Sequence, residues 1–121
     1  MGLYTGIALD NVTINSGRIK ATTFSTTAPV IKTAAFTVAQ NENNLVCNGS
    51  ASISVTLPAA ASWAGREIRI KTIAAYTVVS ASSNVKPIDS NTAGTAILAA
   101  TAGKWATLIS DGSNWVVMAA G

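Results

Sequence analysis

The chain has 121 residues, 49% of them hydrophobic and only 11% charged, with a net charge of +3. That length suits one domain with one core, but ordinary soluble domains carry about 25% charged residues, so the surface must be coated by Ser, Thr and Asn or buried against other chains. A charge this small and scattered excludes a nucleic-acid footprint, and no apolar run reaches the roughly 18 residues that a membrane helix needs.

In chain order, residues 1–35 stand apart from the rest. Val12, Ile14, Ile19, Phe24, Val30 and Ile31 are too sparse to close a core within one chain, and Gly17 and Pro29 break the stretch into segments. Ordering each residue costs about 1–2 kcal/mol of backbone entropy, so such a segment orders on a partner. Val12, Ile14 and Ile19 are its candidate apolar anchors, and Arg18 and Lys20 its candidate contacts to acidic groups.

From Phe36 the pattern is β. The segments "AFTVAQ", "NLVC" and "SISVTL" read as strands, and Asn48-Gly49 between the last two predicts a tight hairpin. Alternation places Ile53, Val55 and Leu57 on the core side. "PAAASWAG", opened by Pro58 and closed by Gly65, is the one helix candidate, no longer than about two turns. "REIRIKT" alternates again, with Ile68 and Ile70 inward and Glu67, Arg69 and Lys71 outward. "YTVVSAS" is the next strand, and "NVKPIDSNTAG" is a turn-rich connection. "TAILAA", "KWATLIS" and "WVVM" complete the set. Asp111-Gly112 predicts a hairpin between the last two, with Asp111 accepting hydrogen bonds from its own turn and Trp115 packing inward. Many short strands with frequent turn signals predict an all-β sandwich, barrel or prism.

The chemistry on offer is narrow. There is no histidine, so a serine nucleophile lacks its usual base. The acids Asp10, Glu42, Glu67, Asp89 and Asp111 are scattered and do not follow calcium-loop spacing. Gly103-Lys104 lacks both the upstream glycine and the Ser or Thr of a phosphate-binding loop. Cys47 is the only cysteine, which rules out an intrachain disulfide and suits a small core residue. These features predict no enzyme, no cofactor and no metal site. Trp63, Trp105 and Trp115 are read as core and interface residues, with sugar stacking as the alternative.

The run "TLPAAASWAGREIRIKT…YTVVSAS…PIDS…AILAA…WATLISDGSNWVV" resembles a module of tailed-bacteriophage virion proteins, found in tail fibres, head fibres and capsid decoration proteins. Leu57-Pro58, Gly65, Ile68, Ile70, Lys71, Thr77-Val78, Ile88-Asp89, Leu98 and Leu108 through Trp115 carry the likeness, which covers about residues 36–118. "VTINSGRIKATTFSTTAPV" is similar to the stretches that lead into such modules. The resemblance implies a homotrimeric β-rich virion component, assembled in the bacterial host cytoplasm.

The expectation is therefore a small β-sandwich or barrel-like module (36–121) behind an extended anchoring and trimerising segment (1–35). Its partners would be its sister chains and the major capsid or another virion protein, with no nucleic acid and no membrane. So little sequence beyond the module favours capsid decoration or a head fibre. The alternative is a tail-fibre tip that binds a bacterial surface glycan. The expected capsid- or partner-binding residues are Val12, Ile14, Arg18, Ile19 and Lys20.

Overall fold

The structure, a computed structural model, describes residues 15–121. Its strands are β1 (Val30–Lys32), β2 (Phe36–Thr37), β3 (Asn44–Cys47), β4 (Ile53–Thr56), β5 (Glu67–Thr72), β6 (Val78–Ser80), β7 (Val85–Lys86), β8 (Ala96–Leu98), β9 (Trp105–Ser110) and β10 (Trp115–Ala120). They form a six-stranded sheet in the order β1-β3-β5-β9-β10-β7 and a four-stranded sheet in the order β2-β4-β6-β8. The all-β class and the sandwich-like layering agree with the alternation in the sequence.

The topology of the first half is one the sequence does not announce. The chain crosses between the sheets at every step from β1 to β6. Parallel ladders β1–β3–β5 therefore stack in one sheet and β2–β4–β6 in the other. Three coils wind around a shared interior. Strands β9 and β10, with β7 and β8, close the far end, while β1 and β2 lie at the near end as the terminal strands of both sheets.

This arrangement overturns the hairpin expected at Asn48-Gly49. Strands β3 and β4 lie in different sheets, so the dipeptide turns a corner between layers rather than reversing a ladder. Gly49 is not among the residues with positive φ. It is small for another reason: a Cβ there would sit 3.0 Å from the Thr33 carbonyl oxygen and 3.1 Å from Ile53 Cδ1. Gly49→Ala should therefore cost about 1–3 kcal/mol through overpacking, read as a lower urea midpoint with an unchanged slope.

The expected helix is also corrected. Only one 3-10 turn forms, Ala60–Ser62, with no side-chain cap and no acidic residue in its first turn. A stretch this short and uncapped cannot repay helix nucleation. The hairpin at Asp111-Gly112 does form. Trp115 pairs with Ser110 across β9 and β10, Gly112 takes φ +92, and Asp111 Oδ1 accepts from the amides of Ser113 (2.9 Å) and Asn114 (2.7 Å).

The core lies between the sheets and includes Leu45, Val55, Ile68, Ile70, Val78, Leu108 and Trp115. Ile53, Val55 and Leu57 point into it, as do Ile68 and Ile70, as the alternation predicts. Cys47 is fully enclosed, and desolvation raises its thiol pKa to about 11, which keeps it protonated and unreactive at neutral pH. Three buried hydroxyls, Thr72, Ser80 and Ser110, end their strands in the same way. Each accepts the amide of the residue two further on and donates elsewhere, Ser110 to the Ala60 carbonyl oxygen at 2.7 Å. Among the described residues, no buried side-chain polar atom lacks a partner.

Candidate interaction surface

The outer faces of the two sheets differ in character. That of the smaller sheet carries Thr37, Ser54, Thr56, Val79 and Ala96, which are small and mostly polar. The larger sheet presents rows fixed by its register. Ile31, Val46, Lys71 and Trp105 form one row, and Asn44, Arg69 and Thr107 the next. Glu67, Ile109, Val116 and Lys86 form a third, with Met118 beside them at a bulge in β10. Ile31 (63%), Met118 (59%) and Trp105 (43%) are strongly exposed. On this face they are interspersed with Asn44, Lys71, Arg69, Thr107, Glu67 and Lys86.

Trp105 is held in place. Its amide donates to the Gly121 carbonyl oxygen (3.0 Å) and its own carbonyl accepts from the Gly121 amide (3.1 Å). The two residues face each other across the ladder, and the indole lies over the glycine where a Cβ would collide with it. The ring also borders a groove of about 310 Å³, lined in part by Pro29, Leu45, Ile70 and Ala106. Asn44, Val46, Arg69, Lys71 and Thr107 complete its rim.

A second cluster ties the N-terminal segment to the module. Trp115 is fully buried, donates from Nε1 to the Pro58 carbonyl oxygen (2.9 Å) and meets Trp63 edge-on with ring centroids 5.9 Å apart. The Arg66 guanidinium stacks 4.0 Å above Trp63 and donates twice to Asn43 Oδ1 (2.7 and 3.0 Å) and once to the Gln40 carbonyl oxygen (2.6 Å). Asn43 Nδ2 in turn donates to Thr27 Oγ1, and Asn44 Nδ2 to Thr26 Oγ1 and the Thr27 carbonyl oxygen. A continuous chain of contacts thus runs from the closing hairpin to the point where the N-terminal segment joins β1.

Upstream of that point, residues 15–26 are all exposed. Ile19 is 54% and Phe24 72% exposed. Among the described residues, no hydrogen bond or ion pair holds Arg18 or Lys20. Val12 and Ile14 lie outside the described residues. The structure therefore places Arg18, Ile19 and Lys20 on one accessible stretch and does not bring them into a pocket. The Trp63–Arg66–Asn43 cluster and the Trp105 groove were missed by sequence reasoning. The three-residue spacing of Trp63 and Arg66 was the available signal for the first. The second needed the parallel register.

Three of the four acids among the described residues sit beside cations, and Asp89, the fourth, has no ion pair there. Glu42 pairs with Lys32 at 2.8 Å, Glu67 approaches Arg69 at 3.9 Å, and Asp111 approaches Lys86 at 3.5 Å. Among the described residues, no group of three His, Cys, Asp or Glu could hold a metal, and no helix is long and apolar enough to cross a membrane. The hydrogen bond from Lys32 holds the Glu42 carboxyl below its usual range, and the amides of Asn114 and Ser113 do the same for Asp111. A depressed folded pKa contributes stability above the unfolded value of about 4, and that contribution is lost as pH falls through the folded value. Thermal melts should be level from neutral pH down to about pH 5 and then fall, and a Glu42→Gln/Asp111→Asn variant should show a flatter acid limb.

Comparison with protein families, curated proteins and solved structures finds no match to this chain.

Proposed function

We propose that this chain is a structural, non-enzymatic component of a tailed-bacteriophage particle, a homotrimeric capsid decoration or head-fibre protein. In this reading the β module projects from the shell and the N-terminal segment anchors it. The observation that carries the reading is the exposed arm. Residues 15–26 leave the near end of both sheets with Ile19 and Phe24 in solvent and Arg18 and Lys20 beside them. Large apolar side chains on an extended segment, outside any core of their own, are suited to a partner surface.

Two further features support it. Strands β1 and β2 end their sheets at the side where the arm enters, and among the described residues no strand pairs with their outer edges, which suits an added strand from a sister chain or the major capsid protein. The outward apolar residues of β9 and β10, Ile109, Val116 and Met118, offer a surface for trimer contacts, consistent with a chain that is only 11% charged. A threefold interface is heterologous, so each chain buries two different patches. Light scattering after size exclusion tests the assembly. The expected mass is three times the 12.3 kDa chain, and a single 12.3 kDa species at micromolar concentration would overturn the trimer.

A further inference from the structure

We infer that the groove beside Trp105 is a binding site for an acidic saccharide, with a sugar ring lying on the indole and its carboxylate held by Arg69 and Lys71. This goes beyond the structural role proposed above and does not depend on whether the module sits on a head or a tail.

The chemistry of the groove points to that ligand class. Trp105 presents an indole pinned by the opposing Gly121, so little side-chain freedom is lost when a ring stacks on it. Apolar C–H faces of sugars suit an aromatic surface of this kind. Lys71 stands between Val46 and Trp105 in one row, and Arg69 between Asn44 and Thr107 in the next. Arg69 has only a long, solvent-exposed contact to Glu67, and among the described residues Lys71 has no ion pair. Both cations are therefore available to a carboxylate, Arg69 as a planar fork and Lys71 as a point charge. Asn44 Oδ1 and the Thr107 hydroxyl border the same space and can accept from sugar hydroxyls, the Asn44 Nδ2 group being held by Thr26 and Thr27.

The same observations disfavour a peptide. Strands β3, β5 and β9 are each paired on both sides, so the groove offers no free backbone edge for an added strand.

The test uses the full chain, titrated with trigalacturonate and, separately, with its methyl ester, which keeps the rings and removes the charge. The readout is the indole N–H signal of Trp105 in a proton–nitrogen correlation spectrum. Trp63 and Trp115, away from the groove, serve as internal controls. The expected result is a saturable shift of the Trp105 signal with trigalacturonate and affinity at least about tenfold weaker for the ester. Trp105→Ala removes the reporter itself, so its binding is read by titration calorimetry, where the heat of trigalacturonate binding should be lost. Because that change also removes the contact with Gly121, Arg69→Ser/Lys71→Ser, at two exposed strand positions, should weaken binding at least about tenfold with an unchanged melt. No shift at millimolar trigalacturonate, or equal binding of the ester, would overturn the proposal. So would tighter binding of inorganic phosphate or a nucleotide, which would make the groove a simple anion site.

Discussion

Trp115→Ala should lower stability by about 3–5 kcal/mol, the range for emptying the site of a buried large aromatic. The residue is fully enclosed and bonded to the Pro58 carbonyl oxygen, and its ring supports Trp63. Losing it removes more than its own contacts. Trp63 loses its edge-on partner, and the Arg66 guanidinium stacked on Trp63 loses its footing over Asn43. At roughly 4 °C per kcal/mol, the melting temperature should fall by more than about 10 °C. Trp115→Phe keeps one six-membered ring but loses the pyrrole ring and its N–H, so it should cost less than the alanine change, about 1–3 kcal/mol, through a smaller cavity and an unpaired Pro58 carbonyl oxygen. A melt unmoved by Trp115→Ala would show that the hairpin does not support the core.

Deleting residues 1–25 should separate folding from attachment. The removed residues that the structure describes are exposed, whereas Thr26 and Thr27, which bond Asn43 and Asn44, remain. The truncated protein should keep its β circular dichroism and melt within a few degrees of the full chain. Its occupancy on phage particles should drop to background, because the proposed anchors Arg18, Ile19 and Lys20 are gone. Attachment of the full chain should weaken with salt if Arg18 and Lys20 meet acidic groups, since about 0.15 M salt screens exposed charges beyond roughly 8 Å. A truncated protein that coats particles at full occupancy would transfer the contact to the module.

How much of this was legible in the sequence depends on the range of the interactions involved. Strand positions followed from alternation, because a period of two reports local burial: Ile53, Val55, Ile68 and Ile70 point inward as it requires. The Asp111-Gly112 turn was legible because its hydrogen bonds close within four residues. The stacked coils were not. Val30 pairs with Leu45 and Leu45 with Ile70, so successive coils differ in length and leave no constant period. For the same reason Asn48-Gly49 misled. The dipeptide satisfies the local rule for a hairpin, but β3 finds its partners in β1 and β5, and Gly49 is set by close packing rather than by its φ.

The candidate surface divides along the same line. That Arg69 and Lys71 face outward was readable from "REIRIKT" alone. That they share a groove with Asn44 and Trp105 was not, since those residues come from strands joined only by the fold. The arm residues Arg18, Ile19 and Lys20 were picked out by what the segment lacks, a core of its own, and their exposure is consistent with that reading.

The measurement that tests the central proposal most directly is a cryo-electron microscopy reconstruction of the phage particle proposed to carry this chain. The account predicts density for the β module over the head, in threefold clusters repeated across the shell, with the N-terminal segment running into the lattice. Density confined to the tail, or single copies without threefold grouping, would contradict it.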